Sequence, residues 1–228
     1  MKNVAIIPAR GGSKRIPRKN VKDFLGKPII AYSIETALKS ELFDEVMVST
    51  DDKEIAGIAK KYGANIPFMR SKENADDYAT TVDVLLEVLA DYNKQNKAFN
   101  YGCCIYPTAP LLTQKELIKG YELLKEQSFD TVFPVVKFGN PILRSLKLEE
   151  GKVTMNWPEY IDTRSQDLPD SYHDAGQFYW FQTDELTEQK KLFTSNSGAL
   201  ILKEEQVQDI DTEQDWKLAE LKVRLLNE

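Results

Sequence analysis

The sequence has 228 residues, of which 42% are hydrophobic and 29% are charged, and these proportions suit a soluble globular domain. The formal net charge of −6 argues against a nucleic-acid-binding protein, which would carry a basic surplus. Apolar stretches fall short of the roughly 20 residues that span a bilayer, and the first residues turn basic too soon for a signal peptide. We therefore expect a cytoplasmic protein with neither a nucleic-acid nor a membrane partner.

Short β-rich apolar runs alternate with longer amphipathic runs along the front of the chain. They predict strands at 4–8, 46–49, 66–69, 101–106 and 131–136, and helices at 28–38, 53–62, 80–92 and 114–126. This alternation predicts an α/β fold with a mostly parallel, doubly wound sheet. Ligands in such sheets bind at the carboxyl ends of strands. We expect the site in the loops that follow Pro8, Thr50, Met69 and Tyr106.

The pattern changes after about residue 140. Residues 144–148 and 153–157 flank the turn Glu149-Glu150-Gly151 and predict a hairpin, and residues 158–173 are polar and irregular. Within a single domain that spans 1–228, the segment 140–175 is therefore expected to form an arm. Two interpretations stay open for this arm: a subunit contact, or a lid that covers the site.

The end of the chain predicts two more strands and a closing helix. The strands are at 178–181 and 199–202, and the first of them is fully aromatic. We interpret that aromatic run as a strand between the sheet core and a subunit interface, rather than as a base-stacking platform. The helix begins at Thr212, with Asp215 completing a capping box. Its apolar stripe consists of Trp216, Ala219, Val223 and Leu226.

Two cysteines, Cys103 and Cys104, are adjacent inside an apolar run. Neighbouring cysteines rarely pair with each other, and the sequence has no Cys/His spacing typical of a metal site. We expect them to be buried thiols in a reducing compartment.

A basic loop follows the first predicted strand directly. Residues 10–20 contain two adjacent glycines and five cations: Arg10, Lys14, Arg15, Arg18 and Lys19. A solvated basic turn would explain the charges alone. The position after strand one and the paired glycines favour a cradle for a polyphosphate, in which backbone amides and cations share the negative charge. The loop is not the GxxxxGK[ST] phosphate-binding loop, because that motif is absent.

A second cluster, Asp209-Ile210-Asp211-Thr212, precedes the last helix. Side chains alternate along extended chain, so the two carboxylates point the same way. Two hard oxygen ligands on one side suit a magnesium ion that also binds phosphate oxygens. The simpler alternative is that Asp211 or Thr212 caps the helix and Asp209 is a surface residue.

These two clusters resemble motifs of the CMP-sialic acid synthetases. The resemblance lies in Ile7-Pro8-Ala9 with residues 10–20 and in residues 208–212, and it extends from residue 3 to about 225. It implies a sugar-nucleotide cytidylyltransferase with a Rossmann-like fold of the nucleotide-diphospho-sugar transferase type. It also implies CTP and an acidic sugar as substrates, Mg²⁺ as cofactor, and a homodimer.

Four further segments are similar to the branch of this family that acts on pseudaminic acid, a nine-carbon acid of bacterial surfaces such as glycosylated flagellin. They are residues 76–81, 103–106, 163–168 and 172–176. Sialic acid enzymes usually have Gln at the position of Tyr106 and Asn-Gly at the position of Ala175-Gly176. Both departures are expected beside the sugar, so the resemblance favours pseudaminic acid over sialic acid.

The resemblance implies a role for each matching residue. Triphosphate binding and catalysis are expected from Arg10, Lys14 and Lys19, and magnesium binding from Asp209 and Asp211. The nucleotide-binding set is expected to be Ala9, Arg10, Gly11, Gly12, Ser13, Lys14, Asn20, Arg70, Ala79 and Thr81. Sugar contacts are expected from Tyr106, Arg164, His173 and Asp174, with Arg164 binding the sugar carboxylate. His173 is the single histidine, and a structural role for it stays open.

Three alternatives accompany this interpretation. The first is another sugar nucleotidyltransferase, specific for sialic acid or for the eight-carbon acid of lipopolysaccharide, although the latter enzymes usually carry a shorter loop. The second is a non-catalytic nucleotide-binding protein, which would not need the acidic pair. The third is an RNA-binding module, which conflicts with the net charge.

Overall fold

The computed structural model describes residues 1–76 and 78–226. Asp77, part of the predicted 76–81 motif, and residues 227–228 lie outside the described residues. The strands are β1 (Asn3–Pro8), β2 (Asp23–Phe24), β3 (Lys27–Pro28), β4 (Glu45–Ser49), β5 (Tyr101–Ile105), β6 (Thr131–Lys137), β7 (Leu146–Glu149), β8 (Lys152–Met155), β9 (Tyr172–Asp174), β10 (Phe178–Gln182) and β11 (Ser197–Leu202). The α-helices are α1 (Ile29–Lys39), α2 (Lys53–Lys61), α3 (Thr81–Lys94), α4 (Gln114–Glu126), α5 (Thr183–Gln189) and α6 (Glu213–Leu226). Over the residues described, none of these helices is long and apolar enough to cross a membrane.

Seven of the described strands form one sheet, in the order β11-β6-β10-β5-β1-β4, with β9 also paired to β6. Strand β1 runs parallel to β4 and β5, and β11 runs parallel to β6. Strands β9 and β10 are antiparallel to their neighbours. The predicted mostly parallel sheet is therefore confirmed, and the carboxyl ends of β1, β4, β5 and β6 meet at one edge.

Helices cover both faces of this sheet, as predicted. One face packs against α1, α2 and α4 through residues such as Ile34, Ile55 and Leu117. The opposite face packs against α3 and α5 through Leu85 and Leu186. The predicted burial of the two cysteines is confirmed: both are free thiols without solvent exposure, one in each core layer, and burial raises both pKa values.

The strand predicted at 66–69 is wrong. The chain there makes one isolated bridge, between Asn65 and Met47 of β4. Asn65 exchanges backbone hydrogen bonds with Val46 and Val48 over 2.8 and 3.0 Å. The pairing stops before Pro67, whose nitrogen has no hydrogen to donate to a sheet ladder.

The aromatic run predicted to border a subunit interface lies instead inside the sheet. Strand β10 pairs with β5 on one side and with β6 on the other. Phe178 and Trp180 face the core layer of α4, and Tyr179 and Phe181 face that of α3. All four are buried, because helices cover both faces of this central strand.

Helix α6 begins with the predicted capping box, in which the Asp215 amide donates to Thr212 Oγ1 over 3.2 Å and the Thr212 amide donates to Asp215 Oδ2 over 2.7 Å. Trp216, Ala219 and Val223 are buried as expected, but Leu226 at the helix end is 47% exposed. Trp216 packs in a separate cluster with Ile16 of the basic loop and Ile210 of the acidic segment. This cluster holds the two predicted motifs side by side.

Gly102 of β5 tests the packing of this core. A Cβ at this position would lie 2.2 Å from the Phe181 ring, which is fully buried. We expect Gly102→Ala to lower the free energy of unfolding by about 3 kcal/mol, as overpacking of a rigid core does. Urea unfolding followed by tryptophan fluorescence measures this change.

Gly57 provides the matched control, because it is an exposed residue of α2 with no atom within 4 Å of an added Cβ. Gly57→Ala is expected to raise the free energy of unfolding by roughly 0.5–1 kcal/mol through helix propensity. Equal stability of the Gly102→Ala variant and the parent protein would contradict the position of the Phe181 ring.

Candidate active site

A cleft opens at the edge where the parallel strands end. Its larger cavity has a volume of about 460 Å³ and includes Asn20 and Tyr106 in its wall. Four cationic side chains line this cavity: Arg10, Lys14, Arg15 and Lys19. Cations gathered around one space can share the charge of a polyphosphate through charge-assisted hydrogen bonds. The cavity thus unites three of the predicted triphosphate-binding residues with Arg15.

A smaller cavity of about 190 Å³ adjoins the first. The two cavities share Pro8, Arg10 and Tyr106. Three residues predicted to read the nucleotide line the smaller one: Arg70, Ala79 and Thr81. The loops after β1 and β5 and the segment after Met69 therefore line the cleft, as expected from the topology, whereas the loop after β4 supplies no lining residue to either cavity.

The basic loop is tied to the end of β4. The Gly11 amide donates to Asp51 Oδ1 over 3.0 Å, so this amide is committed to the protein itself. A Cβ on Gly11 would lie 2.9 Å from Asp52 Oδ2, which explains the need for glycine there. Arg18 adopts a left-handed conformation, with φ of 56°, and its guanidinium donates to Asp52 over 2.6 Å and also to Glu54. These contacts give the loop a defined shape beside the cavity.

Asp52 has two structural roles, because its carboxylate also caps α2 by accepting from the amides of Glu54 and Ile55 over 2.9 and 3.0 Å. We expect Asp52→Ala to lower the free energy of unfolding by about 1–2 kcal/mol. Asp52→Asn keeps a capping side chain and is expected to cost about 0.5 kcal/mol. Chemical denaturation of the two variants distinguishes the contribution of the helix cap to the free energy of unfolding from that of the ion pair.

The pH dependence of this effect has a defined sign. The hydrogen bond from Arg18, together with the amides of α2, lowers the pKa of Asp52 to about 2. The unfolded chain has an ordinary value of about 3.9. A lowered folded-state pKa gives stability that is present above pH 4 and is lost as the pH falls toward 2. The difference between Asp52→Asn and the parent protein should shrink across that range, and a constant difference would contradict the assignment.

The other predicted nucleotide residues near the loop have distinct positions. Asn20 is buried, and its Nδ2 donates to the Arg10 carbonyl over 2.9 Å, which fixes the backbone at the start of the loop. Ala9 is fully buried, and its amide donates to the Ser49 carbonyl over 2.9 Å. Ser13 lines the larger cavity. A Cβ added to Gly12 would meet no atom within 4 Å, so a side chain would fit there.

Arg70 is held rigidly in the wall of the smaller cavity. Its side chain donates to Ser49 Oγ over 3.0 Å and to the Ser49 carbonyl over 2.6 Å, and its amide donates to the Thr50 carbonyl over 2.9 Å. Only 8% of the residue is exposed, and burial lowers its pKa. A fixed guanidinium presents its donors in one orientation, which suits the recognition of a planar group such as a base.

The acidic segment follows the predicted alternation without forming a strand. Ile210 is fully buried between two carboxylates that point outward. Partial desolvation and the neighbouring charge of Asp211 raise the pKa of Asp209. Two carboxylates held together against their repulsion form a site that favours a cation.

Two cations of the basic loop reach this segment. Lys19 Nζ donates to the Ile210 carbonyl over 2.6 Å and lies 3.7 Å from Asp211 Oδ1. Burial lowers the pKa of Lys19, although both carboxylates oppose this effect. Arg15 Nη2 lies 2.6 Å from the same Asp211 oxygen. Two cations that line the larger cavity, Arg15 and Lys19, therefore also contact the acidic segment.

The donor chemistry of the pair fits magnesium. No group of three or more Asp, Glu, His or Cys side chains suited to a metal occurs within 1–76 and 78–226. A cation at Asp209 and Asp211 would take its other ligands from phosphate oxygens and water, as Mg²⁺ commonly does.

Tyr106 stands at the junction of the two cavities, where its hydroxyl is 3.3 Å from Thr81 Oγ1. Its ring packs 5.4 Å from that of Tyr179. The Tyr179 hydroxyl donates to Asp174 Oδ2, and the Gly176 amide donates to Asp174 Oδ1 over 2.9 Å. A chain of polar groups thus leads from the smaller cavity to Asp174, a predicted sugar contact.

The remaining two predicted sugar contacts lie apart from these cavities. His173 is exposed and packs 5.0 Å from the Phe138 ring, and its Nδ1 lies 2.9 Å from the Asp174 carbonyl. Arg164 pairs with Asp167 over 2.6 Å on the arm, and 72% of its side chain is exposed. Neither residue lines the two cavities. Their sugar contacts stay predictions.

Tyr179 and the pairing of Arg15 with Asp211 were not predicted. Tyr179 belongs to an aromatic run, and its sequence neighbours give no sign that its hydroxyl meets Asp174. Arg15 and Asp211 come together only because Ile16 and Ile210 pack in one cluster. The alternation of charged and apolar residues in both segments was the one available signal.

Comparisons with known proteins cover almost the whole chain. A family model described as "Cytidylyltransferase" matches residues 4–223. The chain is 44% identical to a pseudaminic acid cytidylyltransferase of Campylobacter jejuni, over 100% of this chain and 99% of that protein. It is 36% identical to N-acylneuraminate cytidylyltransferase A of Danio rerio, over 96% of this chain and 50% of that protein. A solved structure of CMP:2-keto-3-deoxy-manno-octonic acid synthetase in complex with CTP superposes with a TM-score of 0.72 at 18% identity, covering 100% of this chain and 99% of that one, so this likeness concerns the fold.

Proposed function

This chain belongs to the cytidylyltransferase family, and from that premise we propose that it transfers CMP from CTP to the anomeric hydroxyl of pseudaminic acid and releases pyrophosphate. The observation that carries the proposal is the full-length similarity to pseudaminic acid cytidylyltransferases, in a chain whose cleft joins a cationic cavity to a second cavity at Tyr106. Its setting is the cytoplasm, where CTP is made and thiols such as Cys103 and Cys104 stay reduced.

The reaction needs little covalent help from the protein. The sugar hydroxyl loses its proton to water and attacks the α-phosphorus, so that a new O–P bond forms as the bond to the pyrophosphate oxygen breaks. Negative charge grows on phosphate oxygens, so fixed cations and correct positioning supply most of the catalysis. Arg10 and Lys14 line the cavity for the triphosphate. Magnesium held by Asp209 and Asp211 would neutralise phosphate charge beside Lys19.

The nucleotide half of the cleft has a rigid wall. Arg70 is locked onto Ser49, and Asn20 is locked onto the Arg10 carbonyl. Preformed groups bind a base without a cost for ordering their side chains. Thr81 lies beside Tyr106, and this contact supports a sugar position next to the base and ribose side of the cleft. We propose that Tyr106 and Asp174 contact the variable substituents of the sugar.

Pyrophosphate release tests the function. The purified protein is supplied with CTP, Mg²⁺ and one acid, either pseudaminic acid or N-acetylneuraminic acid, and a tube without acid measures background hydrolysis. We expect kcat/KM to be at least about 100-fold higher with pseudaminic acid, because polar pocket groups reject a sugar that leaves them unpaired. A preference for N-acetylneuraminic acid would keep the reaction and overturn the substrate. Pyrophosphate release no greater than this background with either acid would overturn the proposed function.

We propose that the protein works as a homodimer joined through the arm. Hairpin β7–β8 places Leu146, Leu148, Val153 and Met155 in facing register positions, so they share one side of the hairpin. Leu146, Leu148 and Val153 are 59–71% exposed. An isolated two-stranded hairpin is marginal in water, so this apolar side needs a cover.

The dimer proposal predicts that a charged substitution lowers the mass of the protein in solution only when it lies on the apolar side of the hairpin. Leu148→Glu is expected to convert the dimer to a monomer at micromolar concentration, because it buries a charge in the interface. Thr154→Glu lies on the opposite side and is the control, for which a dimer is expected. Light scattering after size exclusion measures both masses. A monomeric parent protein would contradict the proposal.

A further inference from the structure

Arg15 is placed to serve two partners. Its Nη2 lies 2.6 Å from Asp211 Oδ1, and the same side chain lines the cationic cavity with Arg10 and Lys14. We propose that Arg15 is an exchangeable cation, which neutralises Asp211 until a divalent cation binds and then turns to the triphosphate. This inference rests on the proposed magnesium site at Asp209 and Asp211.

Competition for one oxygen motivates the exchange. Arg15 and Lys19 both approach Oδ1 of Asp211, at 2.6 and 3.7 Å. A magnesium ion binds carboxylate oxygens at about 2.0–2.1 Å. A guanidinium and a divalent cation at one oxygen would repel each other strongly, so the more mobile of the protein cations is expected to leave.

Exposure identifies Arg15 as the mobile one. The Arg15 side chain is 67% exposed, whereas that of Lys19 is 21% exposed and donates to the Ile210 carbonyl. An exposed ion pair is weak and easily broken. The Arg15 side chain can therefore turn toward phosphate at a small cost in free energy, while Lys19 stays fixed beside the acidic pair.

The charges around the pair predict coupled binding. Arg15 and Lys19 neutralise most of the charge of Asp209 and Asp211 before a divalent cation arrives, while Asp215 is engaged in the cap of α6. The cation brings an excess of positive charge, which the triphosphate then neutralises through the displaced Arg15. Metal and nucleotide should therefore bind with positive cooperativity, and by linkage each tightens the other equally.

The test uses Mn²⁺ alone, with free Mn²⁺ measured by electron paramagnetic resonance in the absence of sugar. Arg15→Ala is expected to bind Mn²⁺ about threefold to fivefold more tightly than the parent protein, the size expected for the loss of an exposed ion pair. Adding CTP should tighten Mn²⁺ binding less in this variant than in the parent, after subtraction of the Mn²⁺ that CTP binds in the absence of protein. Circular dichroism checks that the variant is folded.

Two further variants complete the test. Lys22→Ala removes a cation that lies two residues beyond the basic loop and pairs with Glu213, and it is expected to leave Mn²⁺ affinity unchanged. Asp211→Asn is expected to lose Mn²⁺ binding. If Arg15→Ala binds Mn²⁺ no more tightly than the parent, or Lys22→Ala tightens binding equally, the exchange is overturned. If Asp211→Asn binds Mn²⁺ like the parent, the metal site itself is overturned, which is a separate failure.

Discussion

Replacing Asp211 by asparagine is expected to lower kcat for pyrophosphate release by roughly a thousandfold or more, because several kcal/mol of charge stabilisation are lost. The substitution keeps the volume of the side chain and removes one of the two charges at the proposed magnesium site. Asp211 is partly exposed and lies beside the buried Ile210, which holds the segment in place. Activity should therefore fall while the free energy of unfolding changes little. Steady-state kinetics with CTP and pseudaminic acid measures the loss.

Asp91→Asn is the control for this prediction. Asp91 forms an i,i+3 pair with Lys94 on α3, away from the acidic segment, and its loss should not affect turnover. Thermal unfolding of both variants separates a catalytic loss from a loss of fold. Activity of Asp211→Asn within threefold of the parent would refute the proposed magnesium site.

Replacing Lys19 by methionine is expected to lower kcat by about 100-fold to 1,000-fold, the usual cost of removing one fixed charge from a transition state. Lys19 is held by the Ile210 carbonyl beside Asp211 and lines the larger cavity. The partly buried charge is costly to the folded protein, since burial lowers its pKa. Its removal leaves the Ile210 carbonyl without this donor, although Arg15 still pairs with Asp211, so we expect the free energy of unfolding to fall by about 1–2 kcal/mol.

Lys22→Met is the matched control, since Lys22 lies just beyond the basic loop and pairs with the exposed Glu213 outside the cavity. It is expected to retain at least about half of the parent activity, in keeping with the small worth of exposed ion pairs. Single-turnover measurements at saturating CTP show whether the chemical step is affected. Equal losses in the two variants would mean that general loop charge, rather than Lys19, supports catalysis.

Elements with local causes were predicted well from the sequence. The helix at 114–126 matches α4, and Thr212 caps α6 together with Asp215, three residues further on, as predicted. Such caps depend on contacts within one turn, so the sequence states them directly. The alternation around Ile210 was also correct, because it follows from extended backbone alone.

Errors arose where a distant partner decided the outcome. Residues 66–69 have the composition of a strand, but only Asn65 meets β4 before Pro67 ends the pairing. The run 178–181 was expected at an interface, yet β10 inserts between β5 and β6. Neither the neighbours of a strand nor the helices above it can be deduced from its own residues, because pairing depends on the whole sheet.

By itself, the sequence determined the α/β class, the cationic loop, the acidic pair and the resemblance to the cytidylyltransferases. Each of these depends on residue type and short spacing. The tertiary structure alone decided that Lys19 meets the Ile210 carbonyl, which is 191 residues further along the chain, and that Arg15 shares Asp211 with it. The physical reason is the burial of Ile16, Ile210 and Trp216 in one cluster. This burial brings the two charged segments together although they are far apart in the sequence.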